Sequence, residues 1–191
     1  MFSFVPMQEK QIFIGNILFV VCCGFYLAWW LLAFRPSGAI KGIKTGWLLI
    51  PAGVAGICGI ILIVRGILAE TLVKQLLPSG YIIWGGIAAY IILLAATVLL
   101  LKRPATSELI LIVGWGMLAI AEINTLFGNG LFSRRLSVGL ISLVCAAGLA
   151  SIVCYTLYYR LTSHAGYIDG MIPLILSAVV FICISCLIVI R

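Results

Sequence analysis

A chain of 191 residues that is 64% hydrophobic and 9% charged cannot assemble a water-facing surface, since an ordinary soluble domain carries roughly a quarter charged residues. The net charge of +7 does not indicate nucleic acid, because the twelve Lys and Arg are spread over the junctions between apolar runs instead of clustering on one face. Contact with anionic lipid headgroups accounts for them, and the expectation is an all-α, polytopic transmembrane bundle: six spans in a single domain over residues 1–191.

The first span is predicted over residues 12–34 and ends at Arg35-Pro36-Ser37-Gly38, whose Pro and Gly cannot prolong a helix. Trp29 and Trp30 mark one membrane interface. This run is too long for the apolar core of a signal peptide, so no cleavage is expected. The second span covers 46–64, with Pro51 early and Arg65 closing it. Both match the roughly 20 residues that cross about 30 Å of hydrocarbon.

Over 66–77 the pattern becomes amphipathic, with Leu68, Leu72, Val73, Leu76 and Leu77 on one side and Glu70, Thr71, Lys74 and Gln75 on the other. That predicts a short helix lying on the membrane surface, with Glu70 and Lys74 paired one turn apart. Pro78-Ser79-Gly80 ends it, and the third span, 81–101, stops at Lys102-Arg103-Pro104.

The fourth span, 107–127, opens with Thr106 or Ser107 as N-cap and Glu108 in its first turn, and Gly128-Asn129-Gly130 breaks it. The fifth, 136–159, ends in an aromatic belt of Tyr155, Tyr158 and Tyr159. The sixth, 170–190, has Asp169 as N-cap and Pro173 in its opening turn.

Six spans bring both ends of the bundle to one side, yet the basic residues do not orient it. Arg35, Lys41, Lys44, Lys102, Arg103 and Arg160 on one side oppose Lys10, Arg65, Lys74, Arg134, Arg135 and Arg191 on the other. The expected location is a bacterial cytoplasmic membrane, that is, a cell inner membrane.

Small residues set how helices meet in lipid, where backbone contact replaces hydrophobicity as the driving force. Gly53, Gly56 and Gly59 beside Ala52 and Ala55, and Gly139, Ser142, Ala146 and Ala150, form two such strips. They predict the second and fifth spans as the central pair, or, if they point outward, a surface for a partner. All seven cysteines lie inside apolar spans and act there as small hydrophobes. Cys183 and Cys186 form a C-x-x-C in mid-helix without a second ligand pair, so no metal site is expected.

Glu122 is the sharpest polar feature, because an ionisable group inside a span is costly and should face the bundle interior or a wet cavity. A carboxyl there can take up and release a proton or cation, as a coupling site must. Asn124 and Thr125 add polarity in the same turn, and Asn16 in the first span is placed to hydrogen-bond across helices or meet Glu122. His164 and Asp169 are candidates for a pH-responsive pair at the surface.

No G-x-S-x-G elbow, H-E-x-x-H, phosphate-binding glycine loop or paired intramembrane Asp occurs, and no cofactor is expected. The function these features favour is a transporter or channel for a small solute or ion. Six short helices with few polar residues enclose little water, so a homo-oligomer or a membrane partner protein is expected as well. Two alternatives are a non-catalytic assembly subunit and a membrane-embedded enzyme acting on lipid through His164, Asp169 and Arg160.

Overall fold

The computed structural model describes residues 7–35, 45–69, 76–102, 107–158 and 160–190. Every regular element among them is helical: α1 (Met7–Ala33), a 3-10 turn (Thr45–Leu48) running into α2 (Leu49–Leu68), α3 (Ser79–Leu101), α4 (Ser107–Gly128), α5 (Arg134–Tyr158), α6 (Ser163–Asp169) and α7 (Ile172–Ile190). Six helical stretches, the last combining α6 and α7, are long and apolar enough to cross a membrane. The chain is an integral membrane protein.

The ends of these helices depart from expectation where polar residues extend them. α1 begins at Met7 because Gln8, Glu9 and Lys10 continue the helix, with Glu9 in the first turn where the helix dipole favours an acid. Gly66–Leu68, expected to open a separate surface helix, instead form the last turn of α2, with Arg65 favourably placed near its C-terminus. The rest of that predicted helix, including the Glu70–Lys74 pair, lies outside the described residues.

The break after Phe127 forms as expected. Gly130 takes φ +74°, and its N–H donates to the Phe127 carbonyl while the Leu131 N–H donates to the Leu126 carbonyl, each at 3.0 Å. This is the Schellman arrangement, and it satisfies carbonyls that the end of α4 would otherwise leave open. The sixth crossing, in contrast, has two parts. Pro173 has no N–H to give the Asp169 carbonyl, so the helix interrupts at Gly170–Met171 and Asp169 closes α6 instead of capping the next helix.

α2 runs antiparallel to α1, and glycines set the distance between them. A Cβ on Gly59 would stand 2.9 Å from the Gly15 carbonyl oxygen, and one on Gly15 would stand 2.6 Å from Ile63 Cγ1. Gly66 meets Ile12, and Gly56 meets Cys22, in the same way. The expected pairing of the second and fifth spans is therefore corrected. The small strip of α2 is spent on α1, whereas α5 packs on α4 and α7. Gly53 and Gly139 have open space beyond them, and Ser142 is exposed.

α7 covers another side of α1, where Phe19 and Phe181 lie 4.5 Å apart between ring centroids and Cys23 Sγ lies 3.6 Å from Ser177 Oγ. At the far end the Trp30 indole packs directly on Gly170. Trp30 Nε1 donates to the Tyr167 carbonyl at 3.1 Å, and the Tyr167 hydroxyl donates to the Leu31 carbonyl at 3.2 Å. These contacts tie the break between α6 and α7 to the end of α1. α4 is the most enclosed crossing, meeting α2, α3, α5 and α7.

Gly59→Leu should overpack the α1–α2 contact and lower resistance to unfolding in an SDS titration by about 1–3 kcal/mol. Gly53→Leu, which adds the same side chain into open space on the same helix, should leave the transition within about 0.5 kcal/mol of wild type.

Candidate functional site

The interior of the bundle is lined by apolar side chains from α1, α2, α4 and α7, among them Ile12, Ile63, Ile123 and Ile184, all fully buried. Glu122 sits among them at 0% exposure. It stands six residues before the end of α4, about 9 Å along the helix. A carboxyl is placed here because residues 115, 119, 122 and 126 form the inward stripe of α4 at helical spacing.

Asn16 comes from α1, also at 0% exposure, and its carboxamide is turned towards the Glu122 carboxyl. Among the described residues, Asn16 is the one protein group that faces Glu122 as a hydrogen-bond partner, and the two stop short of full donor–acceptor geometry, so both Glu122 oxygens and both Asn16 polar atoms are buried without a closed hydrogen bond. Ser185 of α7 is buried with its hydroxyl unpartnered too. It lies five residues from the end of its helix, about 7–8 Å, so it stands near the depth of Glu122 on the same side of the bundle.

Polar groups elsewhere in the interior behave differently. Thr97, Thr125, Ser137 and Ser151 each donate to the carbonyl four residues earlier, at 2.7, 3.0, 3.1 and 2.8 Å. A hydroxyl satisfied in this way adds little cost in lipid. Unsatisfied buried polar groups cost about 1–3 kcal/mol each, and more if charged. Glu122 and Asn16 therefore carry hydrogen-bonding capacity that the fold leaves open.

Asn124 is separated from this pair. Two residues along a helix are about 200° apart, so it points away from Glu122 and clasps the segment leading into α3. Its Oδ1 accepts from the Leu77 N–H and its Nδ2 donates to the Leu77 carbonyl, both at 2.8 Å. Thr125 is on the Glu122 side, but its hydroxyl is occupied by Ala121. Of the four pathway candidates, the structure brings Glu122 and Asn16 together and gives Asn124 and Thr125 backbone partners.

His164 and Asp169 are not brought together. His164 is exposed in the first turn of α6, whereas Asp169, five residues on, is buried beside Cys154 with Oδ2 unpartnered. Five residues rotate about 140° around a helix, so the two occupy different faces. Cys183 is half-buried and Cys186 exposed on α7. Among the described residues, no three or more His, Cys, Asp or Glu side chains converge as a metal site would require.

Sequence reading did not single out Ser185. The signal for it was the inward stripe of α7 at Ser177, Phe181, Ile184 and Ile188, which places 185 on the buried side. No protein-family model matches the chain, and no curated protein or solved structure matches it. The site itself is the basis for any functional argument.

Replacing Asn124 by Asp keeps the acceptor for the Leu77 N–H but sets an oxygen against the Leu77 carbonyl. Asn124→Asp and Asn124→Ala should each destabilise by about 1–3 kcal/mol. Hydrogen exchange at the Leu77 amide should speed up most strongly in the Ala variant, which has lost its acceptor.

Proposed function

We propose that this protein is a transporter or channel for a small solute or ion, in which Glu122 is the group that takes up and releases a proton or cation as the solute passes, with Asn16 as its neighbouring polar contact. One observation carries the reading: a completely buried carboxyl with neither oxygen paired, facing a carboxamide that is equally unpaired. An acidic side chain at depth costs about 3 kcal/mol on insertion scales. Among the described residues, only the facing Asn16 carboxamide offsets that cost, and with incomplete geometry, which fits a group whose partner arrives during a cycle.

A carboxyl suits such a role because it exchanges a proton or a cation without rearranging its covalent structure. A carboxamide beside it offers a donor to the ionised form and an acceptor to the protonated form. Ser185 is a third oxygen-bearing side chain at similar depth. The outward faces of Gly53, Gly139 and Ser142 offer close-approach surfaces to a second copy or a membrane partner protein. In our reading the working form is an oligomer or a complex in a bacterial cytoplasmic membrane.

The test is a proteoliposome flux panel of protons, monovalent cations and small polar solutes, comparing wild type with Glu122→Gln, which keeps shape but cannot ionise. Flux in the wild type should fall at least about tenfold in the variant, the equivalent of one 1.4 kcal/mol interaction at the transport barrier. Equal flux in both, or none in either, contradicts the reading. Absence of flux together with recovery of a stoichiometric membrane partner would point to an assembly subunit.

A further inference from the structure

α3 and α5 both pack on α4 and are held apart by a cleft of about 450 Å³, within the roughly 300–1,000 Å³ of small-ligand sites. Its surfaces are apolar almost throughout. Glycines open it: Gly85 of α3, Gly116 of α4 and Gly148 of α5 line it, and a Cβ at any of them would meet nothing within 4 Å. Gly86 is the tight point, where the Met117 side chain of α4 packs against α3.

The cleft has the length of one leaflet. Its α3 wall runs from Tyr81 to Leu93, about 18 Å at 1.5 Å per residue, and half of a bilayer's hydrocarbon is about 15 Å. Tyr81, exposed, stands at the membrane end, where an aromatic hydroxyl meets headgroups.

A charge stands at the same end. α5 begins with Arg134, which is exposed. It precedes the lining residue Ile152 by eighteen positions, or five helical turns of 3.6 residues, so it shares that face of α5 at headgroup depth, ten residues or about 15 Å before Val144, where the α5 wall of the cleft begins. A guanidinium above a leaflet-long apolar groove is the pattern of an anionic lipid site.

We propose that this cleft binds one anionic phospholipid, its acyl chain between α3, α4 and α5 and its phosphate against Arg134. The proposal is independent of Glu122, which lies in the bundle interior. Glycine walls let the chain lie below the protein surface, where it replaces the side-chain contacts that α3 and α5 do not make with each other.

The test uses the full chain in detergent micelles equilibrated with equal amounts of phosphatidylglycerol and phosphatidylcholine of identical chains, read by native mass spectrometry. Wild type should retain one lipid, with phosphatidylglycerol favoured about fivefold, the ratio given by about 1 kcal/mol per surface Arg. Arg134→Gln should retain a lipid but lose the preference. Gly116→Leu and Gly148→Leu, which fill the cleft from different helices, should each lower retention at least about fivefold, whereas Gly53→Leu should not.

Retention equal to wild type in both cleft-filling variants, or no headgroup preference in wild type, overturns the proposal. So does a lipid-free dimer that cross-links through Cys145, which would make a second copy the occupant. Because the headgroup preference is read on Arg134→Gln, it remains informative even if one leucine variant fails to fold.

Discussion

The close approach of α1 and α2 at Gly15 and Gly59 is the contact on which the interior depends. Lipid offers helices no hydrophobic reason to associate, so packing must come from backbone and side-chain contact at short range. With a Cβ on either glycine the two helices would be forced apart. Their approach buries Ile12, Asn16 and Ile63 together, and α7 then closes another side of α1 through Phe181 and Ser177. Asn16 faces Glu122 because α1 is held at this depth and rotation.

α4 carries two polar duties on two faces. Towards α3 it offers Asn124, whose carboxamide completes the backbone of Leu77 and leaves nothing unsatisfied. Towards the interior it offers Glu122, which completes nothing. Their proximity in sequence hides this division, because a step of two residues crosses the helix. The same reasoning separates His164 from Asp169 on α6. A polar cluster on a helix has to be read by angle before it is read as a site.

Six crossings were legible because long apolar runs punctuated by Arg, Lys, Pro and Gly have few other solutions. Helix ends were less legible: hydropathy marks where hydrocarbon begins, whereas hydrogen bonding carries a helix through polar residues such as Gln8 and Arg134 to the interface. Small-residue strips showed where close approach is possible but not which helix would use it, so α2 was matched with α5 when its partner is α1. Glu122 was visible as a lone acid in an apolar run, and Asn16 as its neighbour. The role of Asn124 was not visible, because its partner is a backbone 47 residues away.

The account rests on Glu122 and Asn16 facing one another inside the bundle. Solid-state NMR on the labelled protein in bilayers tests this without substitution. A through-space correlation should join the Glu122 carboxyl carbon to the Asn16 side-chain nitrogen, with no correlation from Glu122 to lipid headgroups. A Glu122 carbon that correlates with headgroups or bulk water and not with Asn16 would place the carboxyl at the interface and contradict the account.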